Sequence, residues 1–142
     1  IYTGEWHNNV YVKRGKITYP NGDVYDGEWM GGRRNGKGIF RSAMYTYTGH
    51  WKNNAMHGTG KMKMKSGDSY TGHWRNNLPN GTGKFKYKNG DVLQGQWTDG
   101  QPTGKMLLTS AEKQHQTVMI WKNGLQNVPG VFLFPFSFSV YP

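Results

Sequence analysis

Residues 47 to 74 read Tyr47-Thr48-Gly49-His50-Trp51-Lys52-Asn53-Asn54-Ala55-Met56-His57-Gly58-Thr59-Gly60, then ten residues later Tyr70-Thr71-Gly72-His73-Trp74. The second phrase repeats the first. Working outward, Tyr2-Gly4-Trp6, Tyr25-Gly27-Trp29 and Leu93-Gly95-Trp97 carry the same alternation, with successive Trp residues 23, 22, 23 and 23 positions apart. A fixed short period marks an array of one small unit, so function is to be sought in a repeated surface rather than in one pocket.

Glycines seven and nine residues after Trp29, Trp51 and Trp74 (Gly36 and Gly38, Gly58 and Gly60, Gly81 and Gly83) complete the unit. The outer copies are eroded: Lys13 replaces the first glycine, Met106 replaces the second, and a sixth copy is reduced to Trp121 and Gly130. Tyr, Gly and Trp at i, i+2 and i+4 share one face of an extended strand, whereas helical spacing scatters them. On this face, face A, the alternation also places Ile17, Tyr19, Phe40, Met62, Met64, Phe85, Tyr87 and Leu108 in the second strand of each unit.

Turn signals stand between the strands. Asn21-Gly22, Ser66-Gly67 and Asn89-Gly90 separate units, and Gly31-Gly32, Asn53-Asn54, Asn76-Asn77 and Asp99-Gly100 follow each Trp. Two turns per period predict an antiparallel meander. Keeping Phe85 and Leu93 on one face requires an odd loop, Lys88-Asn89-Gly90 with glycine in the left-handed region. That register pairs Gly83 with Gly95 and Gly81 with Trp97, and one unit earlier Gly60 with Gly72 and Gly58 with Trp74. Each Trp is then expected to lie flat across the first glycine of a pair. The 22-residue step through Arg41-Ser42-Ala43-Met44-Tyr45 lacks Asn-Gly and requires a turn of even length, with a local kink or change of twist.

The fold class is therefore all-β: a single-layer antiparallel meander of tandem β-hairpin repeats. The array is expected over residues 1–130 and a hydrophobic C-terminal strand or cap over 131–142, where Phe132, Phe134, Phe136, Phe138 and Val140 alternate. That tail is also a place for self-association. Glycine-rich composition, with 21 Gly and 35% hydrophobic residues, leaves stability to stacking between neighbours. There is no Cys, hence no disulfide or thiolate site. No apolar run approaches the ~20 residues of a helical membrane span, and Ile1 enters in mid-repeat, as expected of a piece of a longer protein.

Positions between the face A residues form face B, and there the basic residues gather. Between Met30 and Lys88 twelve Lys or Arg meet one acid, Asp68, a net +11, while the rest of the chain nets −1. Face B and its margins offer His50, Lys52, Lys61, Lys63, Lys65, His73, Arg75, Lys84, Lys86 and Lys88 to an anionic partner. Glu5, Asp26 and Glu28 are read as balancing Lys16 and Lys37 across strands. The glycine pairs lie within strands with no helix following, which argues against a phosphate loop. The five His lack metal-ligand spacing, and no Ser/His/Asp or Cys/His constellation is present. Neither a metal, a cofactor nor catalysis is expected.

The Tyr-x-Gly-x-Trp, polar turn, Gly-x-Gly unit resembles MORN repeats, the membrane occupation and recognition nexus family, over nearly the whole chain. The resemblance implies an elongated, twisted antiparallel sheet of β-hairpins. It also implies roles as scaffolds in cytoskeletal, ciliary or membrane-junction assemblies, or as accessory domains of larger enzymes. Two readings compete. In the first, face A fills the concave side and its rings Tyr25, Trp29, Tyr47, Trp51, Tyr70, Trp74, Phe85 and Trp97 hold a protein partner, either a helix or an extended segment. In the second, the lysines of face B bind an acidic protein segment or an anionic, phosphoinositide-bearing membrane surface. Nucleic acid ranks last, because the aromatics lie opposite the lysines. The expected setting is cytoplasmic, at the cytoskeleton, a cilium or a peripheral membrane.

Overall fold

The computed structural model describes residues 3–7, 10–122 and 125–126, with side chains described from 13 to 121. The proposed C-terminal strand over 131–142 lies outside the described residues. Strands β1 (Thr3–His7) and β2 (Val10–Thr18) form the first hairpin, and β3 (Val24–Met30) and β4 (Arg33–Arg41) the second. The third is β5 (Tyr45–Lys52) with β6 (Ala55–Met64), and the fourth is β7 (Ser69–Arg75) with β8 (Leu78–Lys86). β9 (Val92–Thr98) and β10 (Gln101–Thr109) follow, then β11 (Gln116–Lys122) and β12 (Leu125–Gln126). All twelve make one antiparallel sheet in sequence order, the meander that the turn spacing requires.

The turns follow from their residues. Gly31-Gly32, Asn53-Asn54, Asn76-Asn77 and Asp99-Gly100 all have positive φ at both positions, the two-residue geometry whose twist matches the flanking strands. Between units, Tyr19, Met64 and Tyr87 donate backbone N–H to Asp23, Asp68 and Asp91 around three-residue loops. The third residue of each loop, Gly22, Gly67 or Gly90, has φ between 96° and 99°. The short step closes as an even turn: Ser42 N–H donates to Tyr45 across Ala43-Met44. Pairing continues past it unbroken, Gly38 opposite Gly49.

The register between units is the one the sequence demands: Phe85 opposite Leu93, Gly83 opposite Gly95, Gly81 opposite Trp97, and likewise for β6 and β7. Within units the glycines behave differently from expectation. Gly27 pairs Gly38 but Trp29 pairs Arg34, so three residues, 35 to 37, oppose Glu28 alone. The same bulge recurs opposite His50 and His73. Its middle residue, Gly36, Gly58 or Gly81, has φ of 88°, 72° or 98°. The first glycine of each pair is thus held by backbone conformation, not by an overlying Trp: a Cβ on Gly58 or Gly81 would meet His50 or His73.

The second glycine is the one covered by rings. A Cβ on Gly38, Gly60 or Gly83 would overlap the ring and hydroxyl of Tyr25, Tyr47 or Tyr70. Trp51, Trp74 and Trp97 donate Nε1–H to the carbonyls of those same glycines at 3.0–3.3 Å. Each Tyr meets its own Trp and the next unit's Trp edge to face: Tyr47 lies 5.3 Å from Trp51 and 5.1 Å from Trp74. Edge contacts of this kind contribute ~0.5–1.5 kcal/mol each beyond area burial. Tyr25, Tyr47 and Tyr70 also donate their hydroxyls to the carbonyls of Glu28, His50 and His73 beside the bulge. Leu93 has no hydroxyl, and Thr103 Oγ1 donates to the equivalent carbonyl of Gln96 instead.

Candidate interaction face

The eight rings expected to hold a partner are core residues. Tyr25, Tyr47 and Tyr70 are 0% exposed, and Trp29, Trp51, Trp74, Phe85 and Trp97 at most 7%. This corrects their assignment as a contact surface, and the physical reason lies at the hairpin tips. The bulge brings Arg34, Met56, Pro79 and Pro102 opposite the four Trp residues, where all four are buried. Face A therefore closes over its own aromatics. The signal for this was present: with Gly27 paired to Gly38 and a two-residue turn at Gly31-Gly32, the second strand has two residues too many, and a bulge must absorb them.

Burial shows in the phenols. Desolvation raises Tyr25, Tyr45, Tyr47 and Tyr70 well above the ordinary phenol range, and Tyr87 is pushed up to about 12 by burial and by Asp68 and Asp91. Arg34 is the buried cation of the core. Its Nη1 donates to Tyr19 Oη at 2.6 Å and its Nη2 to the Asn54 carbonyl at 2.7 Å, and the guanidinium stands 5.1 Å from the Trp51 ring centroid.

The ten residues assigned to an anionic partner are all exposed. The sheet sorts them into three places. Lys61, Lys63, Lys84 and Lys86 form a grid in the second halves of β6 and β8. Directly opposite each across the strands stand Thr48 and Thr71, Thr46 and Ser69, Thr71 and Gln94, Ser69 and Val92. Like charges are therefore never direct cross-strand partners in the grid, and repulsion is confined to neighbours along a strand. Lys52 and Arg75 sit beside the hairpin turns, Lys65 and Lys88 in the loops between units, and His50 and His73 opposite the bulges.

Face B also carries an open trough of about 740 Å³. The backbones of Gly38, Gly49, Gly60 and Gly72, on four successive strands, line its floor. Ile39, Thr48, Lys61 and Thr71 stand on one side, Lys37, His50 and Thr59 on the other, with Arg14 and Asp26 at the β2–β3 end. The void lies on the side opposite the packed rings. Carboxylates are confined: strands β4 to β12 contain no Asp or Glu. Asp68 and Asp91 lie in loops, where they accept the backbone N–H of Lys88 and Ala111 one unit on.

Glu28 differs from its expected role. It does meet a base, Arg14, with Nη1 3.9 Å from Oε2. Its other oxygen accepts the backbone N–H of Lys37, inside the bulge, at 2.6 Å, rather than pairing with the Lys37 ammonium. In unit three the corresponding side chain is His50, whose Nδ1 lies 3.2 Å from Thr59 O and Oγ1. In unit five it is Gln96, which donates to Thr82 Oγ1.

Among the described residues no cluster of three His, Cys, Asp or Glu could hold a metal, and no helix is long and apolar enough to cross a membrane. A MORN repeat model matches residues 2–24, 25–46, 47–69, 70–92, 94–105 and 120–135. The chain belongs to the MORN repeat family. The last match runs five residues into the tail read as a separate strand. MORN repeats are generally associated with protein and membrane interactions, and the proteins are generally non-enzymatic. The chain is 36% identical over 69 residues to MORN repeat-containing protein 3 of Xenopus laevis, covering 42% of this chain and 28% of that one. It is 33% identical over 73 residues to Alsin of Rattus norvegicus, covering 47% of this chain and 4% of that protein. The alignments thus span less than a third of each relative.

Proposed function

We propose that this MORN array is a non-catalytic interaction module whose contact surface is the trough and lysine grid of face B, engaging an acidic partner. The observation that carries this is the division of labour between faces. The rings of units two to five are spent in the core, while face B keeps exposed bases on a run of strands without a carboxylate. An open trough floored by glycine backbone, with bases on both of its sides, suits an extended acidic segment of a protein, whose carboxylates meet Lys61, His50 and, across from Thr71, Lys84. The test is binding of a fluorescein-labelled peptide of alternating Glu and Ser to wild type and to the combined Lys61→Gln, Lys63→Gln, Lys84→Gln, Lys86→Gln variant. Salt-sensitive binding that the variant loses is expected; equal binding by both overturns the reading.

A second reading rests on Lys63, Lys65, Lys86 and Lys88, exposed residues close to the loops between units. Such an edge suits the flat surface of an anionic membrane, each base near the surface contributing about 1 kcal/mol. Sedimentation with phosphoinositide vesicles, lost in a Lys63, Lys65, Lys86, Lys88 to Gln variant, would select it. No sedimentation by wild type removes it.

A further inference from the structure

Units two and three present the same backbone bulge with opposite electrostatics. In unit two the N–H of the residue after the left-handed glycine, Lys37, is met by the Glu28 carboxylate at 2.6 Å, and Arg14, the cross-strand partner of Glu28, stands beside it. Moving one unit along, every element of that arrangement has a counterpart but one. Gly58 repeats the left-handed Gly36, with φ 72° against 88°. Thr59 stands where Lys37 stood, and Lys37 is now the cross-strand partner of His50, as Arg14 is of Glu28. The carboxylate is missing: His50 takes its place, exposed, and line with Thr59 and Lys37 the open trough.

We propose that the bulge of unit three is a carboxylate-binding subsite, in which an Asp or Glu of a partner polypeptide takes the position relative to Thr59, His50 and Lys37 that Glu28 occupies relative to Lys37 and Arg14. The donors suit one anionic oxygen pair: the Thr59 amide, the second nitrogen, Nε2, of an imidazole whose Nδ1 already lies 3.2 Å from Thr59 O and Oγ1, and the Lys37 ammonium, with Lys61 on the other side of the trough. Donors fixed in a backbone bulge lose little freedom on binding, and charge-assisted bonds of this kind are short and strong. The subsite rests on the acidic-partner reading given above and adds an address within face B. In unit four the cross-strand neighbour of His73 is Thr59 rather than a base, so the equivalent place is weaker. Unit two is self-occluded by Glu28.

The test uses the 142-residue chain and the same Glu/Ser peptide. His50→Glu builds into unit three the carboxylate that unit two already carries, and is expected to lower affinity about tenfold or more. His50→Gln, a side chain that stands at the corresponding position 96, removes the ring without adding charge and is expected to lower affinity clearly less than His50→Glu does. Glu28→Ala vacates the place beside Arg14 and the Lys37 N–H and is expected to raise affinity. In amide spectra the Thr59 N–H is expected to shift on addition of peptide to wild type, and to be already shifted in unliganded His50→Glu. Equal affinity of His50→Glu and His50→Gln, with Thr59 unmoved by peptide, overturns the subsite. If the four-lysine variant still abolishes binding in that case, the acidic-partner reading stands without it. If His50→Glu does not fold, an unmoved Thr59 amide in wild type at saturating peptide is sufficient to overturn the proposal. A wild type that ignores the peptide yet sediments with phosphoinositide vesicles overturns both in favour of a membrane surface.

Discussion

Units two and three have the same strands, the same turn and the same bulge, yet one contains its own electrostatic answers and the other leaves them exposed. In unit two Glu28 caps the bulge N–H and Arg34 fills the socket opposite Trp29. In unit three those places hold His50 and Met56. The framework therefore does not depend on which group stands at either position, and the repeat tolerates charge at sockets whose shape is set by backbone and rings. Stability belongs to what the units share; recognition belongs to where they differ.

The largest effect should fall on the shared part. The folded chain keeps the phenol protons of Tyr25, Tyr45, Tyr47 and Tyr70 that the unfolded chain releases from pH ~10 upward, so stability is full below that pH and lost as pH rises. Each such group contributes up to about 1.4 kcal/mol per pH unit in that window. Circular dichroism and tyrosinate absorbance are expected to change together, in one cooperative step complete by about pH 12. Titration of all tyrosines at the free value without loss of structure would contradict the buried-ring framework. Next in size, Gly38→Val and Gly60→Val should be equally damaging in the two units, by about 3 kcal/mol or more, because each drives a Cβ into a buried Tyr. A melting temperature unchanged in either would break the equivalence.

The Arg34 socket sharpens the comparison. Arg34→Ala is expected to cost about 3 kcal/mol, leaving a void and stranding the Tyr19 hydroxyl and Asn54 carbonyl. Arg34→Met, which copies unit three, should cost less, about 1–2 kcal/mol, since it fills the void but leaves the Tyr19 hydroxyl and Asn54 carbonyl without this donor. Chemical denaturation of both variants decides whether size or charge fills the socket. Gly58→Ala is smaller, about 1 kcal/mol, set by the positive φ rather than by the 3.4 Å approach to His50. Smallest of all, replacing Lys61, Lys63, Lys84 and Lys86 by Gln should leave the melting temperature within about 2 °C of wild type while changing only binding.

Much of this was legible in residues alone. Alternation at Tyr47, Gly49 and Trp51 fixes their common face, because strand side chains alternate whatever the partner. Parity fixed the odd loops at Gly67 and Gly90 and the even one at Ala43-Met44. What stayed hidden was the depth of the rings. Tyr47 and Trp51 on one face of a single sheet look exposed until Met56 is seen to oppose Trp51, and that opposition depends on a bulge that period-two reading skips. Glu28 was hidden for the same reason: its bond to the Lys37 N–H exists only because the bulge turns that amide toward it.

The sequence by itself determined the repeat, the turns, the register between units and the segregation of lysine from aromatic residues, since each follows from local backbone preference and the period of the strand. The tertiary structure alone decided which face is closed and which is open. That choice depends on the bulges, which shift the register within each hairpin and set Arg34, Met56, Pro79 and Pro102 opposite the Trp residues, and on the pairing of each hairpin with the next. The outcome is non-local: it buries the rings of face A and leaves a glycine-floored trough among the bases of face B.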